Sequence, residues 1–291
     1  MKNGFVPALG TPIDGNGTFL PESYGKQIGR MLDAGAVALL SLGSMGQQAF
    51  LRPEACVQAA ETAVKCAAGR VPVFVGAMDN SIARARDRIA SMEHIDLSAF
   101  VFTTPYYEID NDAQVLTYFK SIAKATKHGV ILYDLPGVTK YKITYEMVLE
   151  LSRDVKNLIG IKSADLAMLR KIHLNPEFAN LKTFYSGLDT FDIAYSWGIG
   201  NILDGMFSCT PFNSKKLIEA LDARDLAAAA KHLTNIVALR DFINARDLWP
   251  SFTAAMNFLG FEGLHAPDWS TAVSENTREE IRGEMIRIGE L

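Results

Sequence analysis

Short apolar runs alternate with longer amphipathic stretches along most of the chain. From the N-terminus to about residue 245, runs rich in β-branched and aromatic residues are separated by segments with a helical period. Most of these runs are apolar at nearly every position, which is typical of parallel strands that are buried on both faces. They predict eight strands, at residues 5–11, 36–42, 71–75, 99–103, 130–133, 158–162, 183–186 and 202–208.

The segments between these runs predict helices. Leu116, Phe119 and Ile122 form an apolar stripe at helical spacing, and Pro53 followed by Glu54 is a typical helix start. Eight strands, each followed by a helix, favour an α/β fold of the closed (β/α)8 TIM barrel type over an open doubly wound sheet. An open sheet with a divergent edge would give a similar pattern.

The last part of the chain is longer than a barrel requires. A long helix is predicted over residues 225–245, and further helices over 250–259 and 274–291. The predicted buried face of the long helix consists of Leu226, Ala230, Leu233 and Val237. We therefore expect a barrel over residues 1–224 and a small C-terminal helical extension, packed on the barrel, over residues 225–291.

Composition narrows the classes of function. The 291 residues carry a formal net charge of -4 and no basic stripe, which argues against a nucleic-acid partner. The apolar runs are too short to span a bilayer and no leader segment is evident, so we expect a cytoplasmic protein without a membrane partner. Three cysteines, Cys56, Cys66 and Cys209, are odd in number and lack zinc-ligand spacing, which predicts reduced thiols.

In a (β/α)8 barrel the reacting groups stand on the loops that follow the strands. None of the five histidines ends a predicted strand, so the convergence of ligands that a catalytic metal needs is not predicted. Cys209 has no histidine near it and is expected to be a small buried residue. The predicted strand ends carry Thr11, the turn 43–47, Gly76, the segments 104–107 and 133–136, Lys162, Gly187, Asp189 and Ser208.

Lys162 is the most informative of these residues. It ends an apolar run, where burial favours the neutral amine that attacks a ketone. A lysine that leaves a strand and extends to solvent would occupy the same position in the sequence. Tyr133 ends the neighbouring strand, so its hydroxyl can transfer protons at the same place, although a tyrosine considered alone is more often a cap on the core.

Two further motifs are weaker on their own. Gly43, Ser44, Met45 and Gly46 form a turn in which successive backbone N–H groups can point at one anion, such as a carboxylate. An ordinary turn before a helix has the same features. The adjacent tyrosines at 106 and 107 are equally compatible with a packing role.

Taken together, these motifs resemble a known family. Residues 43–47, 104–107, 133–136 and 160–162, in this order and spacing, are similar to the dihydrodipicolinate synthase / N-acetylneuraminate lyase family of class I aldolases. The resemblance covers nearly the whole chain. It implies a homotetramer built from dimers that acts on pyruvate and an aldehyde, with no metal and no other cofactor.

The resemblance also implies roles for single residues. Lys162 would form a Schiff base with pyruvate or another 2-oxo acid, and Tyr133 would be the general acid/base beside it. Ser44 and Tyr107 would complete a relay of hydroxyl groups, with Tyr107 contributed by a neighbouring subunit. The amides of Ser44 and Met45 would hold the substrate carboxylate. The remaining predicted substrate-binding residues are Gly187, Asp189, Ser208 and Thr11.

Several positions depart from the family pattern. Val138 stands where the synthase has an arginine for its second substrate, which argues against a role in lysine biosynthesis. Sialic acid lyases bind a polyol tail with an Asp-Glu pair, of which this chain retains Asp189 but has Thr190 in place of glutamate. Asp134 replaces the asparagine that usually follows the motif tyrosine. Val138 and Phe207, both apolar, are expected at the pocket edge, where they would admit a less polar aldehyde.

The leading hypothesis is a carbon-carbon lyase that reversibly cleaves a 2-oxo-3-deoxy sugar acid, or a related 4-hydroxy-2-oxo acid, to pyruvate and an aldehyde. Alternatives that use the same imine are a sugar-acid dehydratase and 4-hydroxy-tetrahydrodipicolinate synthase. A non-catalytic 2-oxo acid binding protein is a further alternative, favoured by Met45, Gln47 and Asp134 within the motifs. It would bind its ligand without turnover.

Overall fold

Eight parallel strands form a closed barrel in the computed structural model, which describes residues 1–291. The sheet order is β1-β8-β7-β6-β5-β4-β3-β2, and a parallel bridge between Ala8 and Leu40 joins β1 to β2. The strands are β1 (Gly4–Pro7), β2 (Leu39–Ser41), β3 (Val73–Gly76), β4 (Ala99–Thr103), β5 (Gly129–Tyr133), β6 (Leu158–Ser163), β7 (Lys182–Tyr185) and β8 (Asn201–Asp204). The predicted (β/α)8 barrel is confirmed.

Helices follow the strands and surround the barrel. None of them is both long and apolar enough to cross a membrane. The barrel helices are α1 (Pro21–Asp33), α2 (Pro53–Ala67), α3 (Ile82–Met92), α4 (Asp112–Ala123), α5 (Pro136–Thr139), α6 (Tyr145–Asp154), α7 (Leu166–Leu174), α8 (Phe191–Ser196) and α9 (Pro211–Asp222). Three more follow the eighth unit: α10 (Leu226–Asn244), α11 (Leu248–Phe258) and α12 (Glu275–Arg287). The predicted start at Pro53 is confirmed, and the short α5 is an extra turn directly after β5.

The core has two layers, because each strand is apolar on both faces. Side chains such as Val6, Leu40 and Phe74 fill the inside of the barrel. The larger layer lies between the strands and the surrounding helices and is built by residues such as Phe100 and Phe119. Burial on both faces explains why the strands appear as continuous apolar runs in the sequence.

Three strands, β1, β2 and β8, are at least three residues shorter than predicted, and β2 covers only Leu39–Ser41 of the predicted residues 36–42. β1 ends at Pro7 rather than at residue 11, and β8 ends at Asp204 rather than at residue 208. Beyond Asp204 the chain turns into a single 3-10 turn, Met206–Ser208, whose first N–H donates to Oδ1 of Asp204 at 2.8 Å. A side chain that accepts from the backbone two residues later favours a turn over continued strand. Because apolar residues follow Asp204 and Gly205, the hydrophobic pattern does not reveal this turn.

The predicted buried face of α10 is wrong in part. Leu226 and Ala230 are exposed, and the helix packs through Ala229, Leu233 and Ile236, so the stripe is displaced by about one residue. The side chain of Asp225 caps the helix by accepting from the N–H of Ala228, which places Leu226 in the first turn, facing solvent.

The C-terminus is fastened to the start of α9. Glu290 is buried, and its carboxylate accepts from the backbone N–H groups of Phe212 (3.0 Å) and Asn213 (2.8 Å). Burial raises the pKa of this carboxyl, and the hydrogen bonds from Asn213 oppose that rise. The extension is therefore packed on the barrel, while the division of the chain at residue 224 stays a prediction.

A buried histidine makes stability depend on pH. His265 is fully buried, its Nε2 donates to the carbonyl of Phe261 at 3.0 Å, and burial lowers its pKa from 6.5 to about 4. As the pH falls from 6.5 to 4, the unfolded chain binds a proton that the folded protein does not, so this residue removes on the order of 3 kcal/mol of stability over that window. We expect the free energy of unfolding, measured with denaturant, to fall less steeply in His265→Asn than in the wild type.

The control for this experiment is His94→Asn, because His94 is exposed. This variant should keep the wild-type dependence on pH. An equal dependence in both variants would contradict a neutral, buried His265.

Candidate active site

Lys162 and Tyr133 meet at the mouth of the barrel. They are paired in register on β6 and β5, and the Nζ of Lys162 lies 3.9 Å from the centroid of the tyrosine ring. Lys162 is only 3% exposed, which rules out a lysine that extends to solvent. A buried amine over the face of a tyrosine is held in one place and reaches the interior of the mouth.

Ser44 joins this pair from the turn after β2. Its Oγ lies 3.3 Å from the hydroxyl oxygen of Tyr133, within hydrogen-bond distance. The N–H groups of Ser44 and Met45 are not used in the backbone hydrogen bonds of the turn, in which the N–H of Gln47 donates to the carbonyl of Ser44. The structure thus brings together Lys162, Tyr133 and Ser44, with two free N–H groups beside them.

The backbone is strained directly before the turn 43–47 and at its last residue. Leu42 and Gln47 have φ values of 57° and 60°, in the left-handed region that residues other than glycine rarely adopt. Gly76 on β3 makes room for this conformation, because a Cβ there would overlap with the carbonyl oxygen of Leu42. Strain of this kind persists only where surrounding contacts impose it, and it is concentrated at functional sites.

Thr11 and Ser208, which were predicted to bind substrate, instead use their hydroxyls to donate to backbone carbonyls. Thr11 is fully buried, and its Oγ1 donates to the carbonyl of Gly46 at 2.8 Å. Ser208 is also fully buried, and its Oγ donates to the carbonyl of Ala8 at 3.0 Å. The structure therefore does not present either hydroxyl to a substrate. Met45 lies against Gly205, where a Cβ would overlap with its side chain.

Tyr107 does not meet the other three residues within one chain. It is 87% exposed, on the loop after β4. The Oδ1 of Asn80 accepts from the N–H groups of both Tyr106 (2.8 Å) and Tyr107 (2.9 Å), and so holds this loop. Asn80 follows Asp79, which is buried and bonded to the Nε atoms of Arg84 (2.6 Å) and Arg88 (2.7 Å).

Asn80→Ala is expected to loosen the tyrosine loop. The two N–H groups would lose their shared acceptor, so their hydrogen exchange should become faster, and turnover should fall about tenfold if Tyr107 has to be placed accurately. Exchange followed by mass spectrometry, together with steady-state kinetics, checks this. Asn111→Ala is the control, since Asn111 caps α4 on the same loop without bonding to either tyrosine. Unchanged exchange at residues 106 and 107 would contradict the proposed role of Asn80.

The loop after β7 is joined to the C-terminal extension. Asp189 is exposed, and both of its carboxylate oxygens accept from Arg240 on α10, at 2.6 and 2.8 Å. The hydrogen bond from Arg240 lowers the pKa of Asp189. Gly187 lies beside Tyr185, whose ring leaves no space for a Cβ at that position. The predicted polyol-binding carboxylate is thus already paired with a guanidinium group.

Asp204 was missed by the sequence prediction. It ends β8 near Lys162, whose positive charge partly offsets the rise in the pKa of Asp204 that burial causes. Its Oδ1 accepts from the N–H of Met206. The predicted eighth strand continued through this position, although Asp204 followed by Gly205 is a common turn signal that would have marked the strand end.

Val138 and Phe207 were both predicted at the pocket edge, and the structure places them in different surroundings. Val138 is 59% exposed on α5, directly after the motif that contains Tyr133. Phe207 is not at the edge: it is fully buried in the layer between barrel and helices, 5.4 Å from Phe5 between ring centroids. Cys209 is buried as predicted, and burial raises the pKa of its thiol well above the usual value.

Known proteins share sequence and fold with this chain. The alignment with a 4-hydroxy-tetrahydrodipicolinate synthase of Bartonella quintana is 34% identical over 164 residues, and it covers 56% of this chain and only 56% of that relative. A relative of the same name from Kosmotoga olearia is 28% identical, with all of both chains covered. The solved dihydrodipicolinate synthase of Thermotoga maritima has the same fold, with a TM-score of 0.89, 22% identity and both chains fully covered.

A prophage protein of E. coli K12 from the dihydrodipicolinic acid synthase family, solved in complex with pyruvate, also shares the fold. It has a TM-score of 0.90 and 21% identity, with both chains fully covered. The sequence model described as the dihydrodipicolinate synthetase family matches residues 1–285. The chain therefore belongs to the dihydrodipicolinate synthetase family.

Proposed function

We propose that this chain is a class I lyase that forms a Schiff base through Lys162 and cleaves a 2-oxo-3-deoxy sugar acid, or a related 4-hydroxy-2-oxo acid, to pyruvate and an aldehyde. Members of the family are pyruvate-dependent class I aldolases and lyases. The observation that carries the proposal is the buried amine of Lys162 over the ring of Tyr133, whose hydroxyl lies 3.3 Å from Ser44.

The chemistry begins with the amine. Lys162 attacks the C2 carbonyl as the free amine, and the hydroxyl of the carbinolamine leaves as water with a proton donated by Tyr133, which gives a protonated imine and a tyrosinate. Tyr133 then takes the proton of the C4 hydroxyl while the electron pair of the C3–C4 bond moves into the imine, which releases the aldehyde and leaves an enamine. Protonation at C3 and hydrolysis of the imine release pyruvate and restore the lysine. The hydroxyl of Ser44 passes the protons that Tyr133 collects.

The substrate carboxylate is expected at the turn 43–47. The free N–H groups of Ser44 and Met45 can donate to it, as backbone donors do in other anion sites. Tyr107 would reach the relay of a neighbouring subunit, and its 87% exposure supports this arrangement. A homotetramer built from dimers remains part of the proposal, with sedimentation of the purified protein as its test.

The polar groups around the mouth favour a hydroxylated acceptor. Asp189 follows β7, Asp204 ends β8, and Arg240 on α10 is bonded to Asp189. These groups form hydrogen bonds with hydroxyls, whereas Val138 has no group that could bind a second carboxylate. We therefore prefer a sugar-acid substrate over the second substrate of the synthase. Gly187 would allow the tail of the substrate to pass close to the backbone after β7.

The names of the relatives favour 4-hydroxy-tetrahydrodipicolinate synthase as a second candidate. Identification of products separates the possibilities. The protein is incubated with a panel of 2-oxo-3-deoxy sugar acids, and separately with pyruvate and aspartate semialdehyde. We expect pyruvate and an aldehyde from the first reaction. A single dehydrated oxo acid would indicate a dehydratase, condensation only in the second reaction would indicate the synthase, and stabilisation by pyruvate without any product would indicate a binding protein.

A further inference from the structure

A buried carboxylate lies directly beyond the pair formed by Lys162 and Tyr133. These two residues are aligned on β6 and β5, and Ser163 and Asp134 are the next residues on the chain. The N–H of Asp134 donates to the carbonyl of Lys162 at 2.9 Å, and the Oγ of Ser163 donates to Oδ2 of Asp134 at 2.7 Å. These two hydrogen bonds fasten the ends of the two strands to each other.

The other side of the carboxylate is held by the segment that follows α5. Oδ1 of Asp134 accepts from the N–H of Ile143 at 3.0 Å, and the Nζ of Lys142 forms an ion pair with Oδ2. Lys142 also lies 3.3 Å from Oδ2 of Asp165, which caps α7 directly after β6. One carboxylate thus connects β5, β6 and the segment between α5 and α6.

The surroundings of the Asp134 side chain match its negative charge as well as its shape. The side chain is 2% exposed, and a carboxylate buried this deeply needs both a counter-charge and hydrogen bonds. An asparagine could still accept from Ile143, but its NH2 group would face the ammonium of Lys142, donor against donor. Asp134 and Lys142 are therefore a matched pair, and this pairing is specific to the aspartate that departs from the family pattern.

We propose that the ion pair between Asp134 and Lys142 is a positioning device for Lys162. The proposal rests on the proposed function, because it requires Lys162 to be the nucleophile. The titratable groups beside the amine of Lys162 are Tyr133 from β5 and Asp204 from β8, whereas Asp134 is linked to Lys162 through the backbone, by the bond from its N–H to the carbonyl of Lys162. Loss of Lys142 removes the counter-charge of the buried carboxylate, and loss of Asp134 removes the acceptor of Ser163 and Ile143, so either change loosens the strand ends that carry Lys162 and Tyr133.

The test is the rate at which borohydride traps pyruvate on the protein, measured against pH. The variants are Asp134→Asn, Lys142→Met and the double variant, with Lys140→Met as the matched control, because Lys140 is exposed on the same segment and its Nζ bonds to the carbonyl of Gly137. We expect each single variant to lower the plateau rate about tenfold or more. The midpoint of the pH profile should stay at its wild-type value in every variant, because the groups beside the amine, Tyr133 and Asp204, are unchanged.

The double variant should keep the lower plateau rate, because the clamp between the two strand ends is still missing. Variants that melt at lower temperature but keep the wild-type plateau would overturn the proposal and leave the pair a purely structural role. If the single variants do not fold, the double variant decides, and a wild-type plateau in it contradicts the proposal. Absence of trapping on Lys162 in the wild type would instead refute the proposed function itself.

Discussion

Lys162→Ala is expected to form no pyruvate adduct and to lose turnover by at least about 10⁴-fold, the order of loss that removal of a nucleophile causes. Lys162 is the buried amine at the barrel mouth, and no other lysine is buried. Turnover is measured by following pyruvate release from the best substrate, and the adduct by mass spectrometry after reduction.

The control for this variant is Lys182→Ala. Lys182 begins β7 at the opposite end of the barrel and is exposed, so its loss should leave both readouts unchanged. Lys162→Ala is itself expected to fold, because alanine is smaller and apolar at a buried position. Near-normal cleavage by a folded Lys162→Ala protein would remove the imine from the mechanism.

Tyr133→Phe is expected to lower kcat by about 10²-fold to 10⁴-fold, which is typical of losing one acid/base group. The phenyl ring would remain under the Nζ of Lys162, so the adduct should still form, but more slowly, and the KM for the substrate should change little. Ser44→Ala in the Tyr133→Phe background should add little, because the two hydroxyls act as one relay.

Tyr145→Phe provides the comparison for a lost tyrosine hydroxyl. The hydroxyl of Tyr145 accepts from Asn175 at 2.8 Å, on the outside of the barrel, and its removal should not affect kcat. If Tyr133→Phe retained the wild-type kcat, another group would have to carry the proton, and Asp204 would be the next residue to replace.

Much of the fold could be predicted because the barrel imposes a simple pattern. Strands buried on both faces give continuous apolar runs, and the structure places β4 at the predicted residues and β5 and β6 within one residue of them. The ends of β1 and β8 could not be found in this way, since apolar residues continue past the point where hydrogen bonding stops. The face of α10 was displaced because a single-helix pattern does not show which side meets the barrel.

The centre of the candidate site could also be predicted, for a geometric reason. The ends of parallel strands meet at one side of a barrel, so residues that end neighbouring strands, such as Lys162 and Tyr133, must lie close together. Contacts between distant segments could not be predicted. The pairing of Asp189 with Arg240 joins a loop to a helix 51 residues away, and only the folded chain shows it.

The central claim is that Lys162 forms an imine with a 2-oxo acid, and reductive trapping tests it most directly. The wild-type protein is incubated with pyruvate and borohydride, its intact mass is measured, and the modified peptide is mapped. The account predicts one pyruvate adduct per chain, located on Lys162 and absent from Lys162→Ala. A folded protein that gains no adduct, or carries it on another lysine, would contradict the account.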